Sequence, residues 1–402
     1  MKTSPSAARQ WEQLLALTFA HAVADTYVGL IAPVLVPMRD HYGVSFALLI
    51  FVVSLLGFSS NIFQIFIGHL QTALTRPDLI SAGVLLAGLA VFIPVLPAGP
   101  FCVVWMSLLA LLAGLGVAAV HPEGLRALHG LDKIPASLTT SVFMVSGFMG
   151  FAGGAILSST LTEHFGLDSL VWLYAIAPVA AGTLFLSGVR LPADTAHGEK
   201  PGAAPARPEN IPGIPFAPLF LIAAVLATSS QIQATLLPSY LHGEAGYSLS
   251  FSGFSFTLFG LGGMAGAIFW SILAPRLGHL SVLFYTALAG APLTALYLAA
   301  APLAASASGL LTFVGFIVYT GFPLCITLAR YSDSSLRFGT RMGLISGGSW
   351  GIAALVMWGI GPLTAYTGLG VLLHLIWIGY LAAALVTFRL MRQPDSLSLP
   401  HT

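Results

Sequence analysis

The chain has 402 residues, of which 57% are hydrophobic and only 7% charged, and its formal net charge is +1. A soluble domain carries roughly 25% charged residues, so a globule of this length could not cover its surface with so few, and its main solvent must be lipid. The near-zero charge leaves no basic footprint for nucleic acid. The two cysteines, Cys102 and Cys325, stand in apolar stretches without metal spacing. Neither a nucleotide-binding loop nor a Ser-His-Asp set is present, and no polar segment is long enough for a signalling domain. The composition therefore speaks against an enzyme, and nothing in it asks for a cofactor.

Met1 to Gln10 is polar and no small-residue cleavage site follows a short apolar core, so the first apolar stretch is expected to be a retained helix. A membrane helix needs roughly 20 mostly apolar residues. On that measure, spans are predicted at 12–37, 46–71, 79–97, 100–128, 136–161 and 169–190. A polar, proline-rich stretch then holds Lys200 and Arg207 and reads as a linker over 191–215. Six further spans are predicted at 216–238, 250–274, 279–300, 306–329, 341–363 and 368–390. The expectation is an all-α membrane protein of twelve transmembrane helices, with six-helix halves at 1–190 and 216–402. Basic residues collect on the cytoplasmic side of membrane proteins. With the N-terminus inside, only Arg39 of the 15 lysines and arginines falls outside. Both termini and the linker are thus predicted to be cytoplasmic, in a bacterial inner membrane.

The halves carry faint internal symmetry. Val145-Ser146-Gly147 recurs as Ile345-Ser346-Gly347, Pro122 is echoed by Pro323, and Arg76 by Arg276. The shared offset of about 200 residues suggests parallel repeats. Two six-span halves with a cytoplasmic linker are the layout of the major facilitator superfamily fold, whose members are transporters. The many glycines inside spans, Gly147, Gly150, Gly153 and Gly154 among them, suit close helix packing, and smooth interfaces of that kind also let helices rock.

Ionisable groups at membrane depth are costly and call for a reason. Span 1 carries His21 and Asp25, four apart and so on one helix face. Span 4 carries His121, Glu123 and Arg126, with Glu123 and Arg126 placed to face each other along the helix. Pro122 is expected to kink the span and free a backbone carbonyl. Two readings stand. Asp25 or Glu123 pairs with Arg126 and staples the bundle, or the group is a proton or cation site. Burial disfavours an ionised carboxylate and a nearby arginine favours it. With Arg126 a fixed cation, one carboxylate is surplus, which makes a protonation cycle feasible at His21, Asp25, His121 and Glu123.

The second half has no acidic residue inside a predicted span. It offers the polar groups Ser229, Ser230, Gln231 and Gln233, the aromatics Tyr240, Tyr319 and Trp350 as pocket walls, and His374 as a packing histidine. Arg330, at the end of span 10, is either a snorkelling anchor or a contact for an anionic substrate. Arg126, Gln64, Gln231, Tyr319, Arg330 and Trp350 are the candidate substrate-binding residues.

Several of these residues resemble the fosmidomycin resistance protein family within that superfamily. The resemblance is carried by His21-x-x-x-Asp25 in span 1, His121-Pro122-Glu123-x-x-Arg126 in span 4, Gln64-x-x-x-Gly68 in span 2 and Ser141 through Gly150 in span 5. It extends from His21 to about Leu157. It implies proton-driven efflux of a small, anionic or drug-like compound, and it gives weight to His21, Asp25, His121, Glu123 and Arg126. The loop after span 2 departs from the superfamily pattern, with Thr72 at its acidic position, and Pro275 stands at the matching place after span 8. Phe151 and Gly154 flank the place of the Gly-Pro pair of drug antiporters, and Arg330 stands where that family tends to have an uncharged amide.

The leading expectation is therefore a monomeric secondary transporter coupling protons to export of a small molecule, with the lipid bilayer as its other partner. Two alternatives use the same residues. One is a divalent transition-metal transporter with His21, Asp25, His121 and Glu123 as ligands, against which the fixed charge of Arg126 argues. The other is an organic-anion uptake carrier using Arg126 and Arg330.

Overall fold

The structure, a computed structural model, describes residues 6–69, 76–191, 213–336 and 338–392. Most of the predicted linker 191–215, together with Thr72 and Arg337, lies outside the described residues. Within them are twelve helices long and apolar enough to cross a membrane. In chain order they are α1 (Ala7–Tyr42), α2 (Phe46–Ile67), α3 (Asp78–Val95), α4 (Cys102–Leu128), α5 (Leu138–Phe165) and α6 (Leu167–Ser187). Then come α7 (Phe216–Gly243), α8 (Leu249–Leu277), α9 (His279–Ala300), α10 (Ala307–Arg330), α11 (Thr340–Thr367) and α12 (Leu369–Met391). No β-strand occurs among the described residues beyond an isolated bridge between Pro215 and Asp333. This is what lipid demands, since a spanning segment must satisfy its backbone internally.

Every predicted span corresponds to one helix, but the ends differ. The α1 helix starts at Ala7, where the Ser6 hydroxyl accepts the Arg9 backbone N–H at 3.3 Å. It continues through a 3₁₀ turn at Ala32–Val34, where Pro33 sits, and ends at left-handed Gly43. Similarly, α7 runs through Pro238 to Gly243. Apolarity marks where lipid begins, whereas caps and positive-φ glycines mark where helices stop.

The chain divides into two compact units, Met1–Ala196 with Ser248–Phe254, and His197–Tyr247 with Ser255–Thr402. In the first, α1 packs along α5 and α2 along α4. A Cβ on Gly154 would collide with the Thr26 carbonyl oxygen, and one on Gly114 would lie 2.5 Å from the Leu56 carbonyl oxygen. These backbones approach closer than any side chain would permit, as small residues allow in membranes. In the second unit, α12 packs on α7 and α9, and α11 on α7. There Gly315 of α10 abuts the Phe259 carbonyl of α8 in the same way. Gly114 and Gly315 lie about 200 positions apart, as parallel repeats require.

Polar side chains tie the helix ends. Fully buried Gln10 donates to Asp132 Oδ1 at 2.5 Å and accepts the Lys133 N–H at 2.7 Å, joining the start of α1 to the loop after α4. Glu244 accepts the backbone N–H groups of Leu369 and Gly370, at 2.6 and 3.0 Å, at the start of α12. A carboxylate there satisfies orphan donors and complements the helix dipole.

Candidate functional site

Asp25 lies near the middle of α1, roughly 25 Å of helix rise from either end. One helical turn earlier, His21 places its Nε2 at 3.3 Å from Asp25 Oδ2. From α4, His121 places its Nε2 at 3.3 Å from the other oxygen, Oδ1. The carboxylate is thus clasped between two imidazoles, whose ring centroids lie 4.9 Å apart, edge to face. His21 is buried, while Asp25 and His121 keep 16% and 23% of their side-chain surface accessible. The pair of histidines is therefore open on the Asp25–His121 side.

The α5 helix fixes His21. The His21 ring stacks on Phe143 at 4.0 Å, and its Nδ1 lies 2.7 Å from the Phe143 carbonyl oxygen. Ser146 donates its hydroxyl to the same carbonyl at 2.6 Å. A carbonyl only accepts, so His21 Nδ1 carries a proton. Its Nε2 then faces a carboxylate oxygen. That contact is attractive only if a further proton sits between the two, on the imidazole or on the carboxyl. The carboxylate and the two imidazoles thus form one polar group near the middle of α1. Two glycines make room for it. A Cβ on Gly147 would lie 2.5 Å from Asp25 Oδ2 and closer still to His21, and one on Gly124 would lie 2.5 Å from the Phe143 ring.

Arg126 and Glu123 form their own ion pair, Nη2 to Oε2 at 3.0 Å, one turn apart on α4. Both side chains are largely buried. Of the two carboxylates considered for Arg126, Glu123 is its partner, and Asp25 is the surplus one, held by histidines. Helix α4 continues unbroken through Pro122, which has no N–H to offer the Ala118 carbonyl one turn back.

The remaining candidates are placed as follows. Gln64 is half-buried on α2. In the second unit, the Gln231 side-chain amide donates to Thr235 Oγ1 at 3.2 Å within α7. Tyr319 stands edge to face with Phe259 at 5.9 Å, and Trp350 with Phe322 at 5.4 Å. Arg330 is exposed at the C-terminal end of α10, the position of a snorkelling cation. His374, expected to pack inside, is exposed and accepts the Trp377 indole N–H at 2.9 Å. The contacts described for Gln231, Tyr319 and Trp350 are to residues other than one another. Phe143, Ser146, Gly124 and Gly147 were not legible as site residues, because a backbone carbonyl and the absence of a side chain leave no chemical signature in sequence. The Ile345-Ser346-Gly347 echo lies within a π-helical turn, Leu344–Gly348, in α11. Such turns are frequent at functional sites.

The Major Facilitator Superfamily profile matches residues 17–357. No curated protein matches by sequence. Among solved structures, a nucleoside transporter is similar with a TM-score of 0.72 at 12% identity, over 94% of this chain and 99% of that one. A bacterial homologue of the human lysosomal transporter Spinster, inward-facing and unoccupied, is similar with a TM-score of 0.69 at 14% identity, over 97% of this chain and 100% of that one. A D-xylose–proton symporter is similar with a TM-score of 0.68 at 12% identity, over 96% and 98% of the two chains. At these identities the likeness is one of fold.

Proposed function

The chain belongs to the Major Facilitator Superfamily, a multi-pass transporter and not an enzyme, and we propose that it exports a small organic solute in exchange for protons by alternating access. One observation carries the proton part. Asp25, at mid-span, lies between two histidine nitrogens, each 3.3 Å from one of its oxygens. A carboxylate that changes its protonation as its surroundings alternate between the two sides couples one flux to the other. Export and the organic nature of the cargo rest on the resemblance of His21, Asp25 and the His121-to-Arg126 run to fosmidomycin resistance proteins. Gln64, Gln231, Tyr319 and Trp350 are proposed as cargo contacts. Arg126 is engaged by Glu123, which weakens the organic-anion uptake reading that needed it as a counter-charge.

The test uses purified monomer in proteoliposomes with an imposed pH gradient and a panel of phosphonates, other organic anions and lipophilic cations. Accumulation of one class against its gradient, collapsed by a protonophore, is expected. Movement of solute that ignores the pH gradient altogether would remove the proton coupling. Orientation in a bacterial inner membrane follows from the sided basic residues. Reporter fusions at either end should fluoresce in the cytoplasm, and a periplasmic alkaline phosphatase signal at the C-terminus would reverse that assignment.

A further inference from the structure

We propose that His21, Asp25 and His121 form a binding site for one divalent transition-metal ion of the zinc, cobalt or nickel kind. The inference shares its residues with the proposed coupling site but rests on their geometry alone. Each residue offers one ligand atom, and the three atoms lie within 4.8 Å of one another. Zinc–nitrogen and zinc–oxygen bonds of about 2.0–2.1 Å in a tetrahedron place neighbouring ligand atoms about 3.3–3.4 Å apart. His21 Nε2 stands 3.3 Å from Asp25 Oδ2 and His121 Nε2 3.3 Å from Oδ1. With one Asp25 oxygen as ligand, the histidine facing it already stands at that separation and the remaining ligand atoms lie within 4.8 Å, so binding draws the three side chains together.

The surroundings also suit an ion. Metal-binding histidines are held through their second nitrogen by a carbonyl or carboxylate. His21 meets this condition with Nδ1 on the Phe143 carbonyl, at 2.7 Å, which turns its Nε2 toward Asp25. The fixed cation that would repel a metal, Arg126, is paired with Glu123 at 3.0 Å, so Asp25 is not the carboxylate engaged in that pair. Two imidazoles and one carboxylate select borderline transition ions over magnesium or calcium, which take oxygen ligands. Three protein ligands leave a coordination position open, and an open position marks an exchangeable site and not a closed structural one.

Cobalt(II) tests this, because four- and five-coordinate nitrogen–oxygen sites give visible absorption bands that hexaaqua cobalt lacks. The purified full chain in detergent is titrated with cobalt chloride alongside Asp25→Asn, His121→Gln and the control His374→Gln, whose histidine lies on α12 beside Trp377. Melting curves establish that each variant is folded; His21 is left intact because its ring is stacked in the core. The wild type and His374→Gln should bind one equivalent with visible bands that zinc displaces. Asp25→Asn and His121→Gln should each lose more affinity than the roughly 10- to 100-fold that an outer-shell change costs. Absence of bands in the wild type, or wild-type affinity in either site variant, overturns the proposal. The two readings fail separately. Solute transport driven by pH without cobalt binding defeats the metal site and leaves proton coupling standing, and cobalt binding without pH-driven transport does the reverse.

Discussion

Replacing Asp25 with asparagine is expected to reduce pH-gradient-driven transport to the rate of protein-free vesicles while the fold survives. The reasoning is stereochemical. Asn keeps the shape of Asp, and the clasp offers it two complementary partners. Its carbonyl oxygen can accept the Nε2–H of His121, and its amide can donate to Nε2 of a neutral His21, whose Nδ1 proton is already on the Phe143 carbonyl. Every hydrogen bond of the clasp is kept, and the proton it shared has nowhere to bind. The melting temperature should therefore move by no more than about 2 °C, because about 1 kcal/mol shifts a chain of about 150–250 residues by about 2–4 °C and a longer one by less. Solute exchange at equal pH on both sides, which moves no net proton, should persist. Full pH-driven transport in Asp25→Asn would place the coupling elsewhere. Collapse of the melting curve would instead make Asp25 a staple of the α1–α4 contact.

The spans were legible because lipid imposes one crude rule, about 20 apolar residues, that composition obeys. The breaks inside them were not. The 3₁₀ turn at Ala32–Val34 and the π turn at Leu344–Gly348 depend on packing that apolarity does not encode. Within the site, the i, i+4 spacing puts His21 and Asp25 on one face, and the i, i+3 spacing pairs Glu123 with Arg126. Local geometry suffices for both. That His121 would cross from α4 to the free oxygen of Asp25 is a tertiary fact. So is the seat that Phe143 and Gly147 make for His21, which required α1 and α5 to be brought together. The run Ser141 to Gly150 carries a family resemblance and a close-packing composition, and neither names a contact with His21.

The Glu123–Arg126 pair decides whether the fixed charges of α4 are structural or functional. Arg126→Ala strips a buried carboxylate of its ion-pair partner at 3.0 Å. Breaking a buried pair from one side costs about 3–5 kcal/mol, because a charge is left in a low-dielectric interior. The loss should read as a much lower midpoint of unfolding in a denaturing detergent. Replacing both residues with methionine removes both charges and keeps most of the volume, a change that is often neutral or stabilising. The double variant should thus recover most of the stability that Arg126→Ala loses, and with the single variants Glu123→Met and Arg126→Met beside it the non-additivity measures the coupling between the two side chains. Transport by the recovered double variant then separates the roles. If it carries solute on a pH gradient at the wild-type rate, the pair is a staple and Asp25 with its histidines handles the proton alone. If it is stable and inert, Glu123 or Arg126 takes part in moving the proton or the cargo. A double variant no more stable than Arg126→Ala would mean that the cost lies in lost packing or in the pair's further contacts, and that the buried charge is not what Arg126 is there to neutralise.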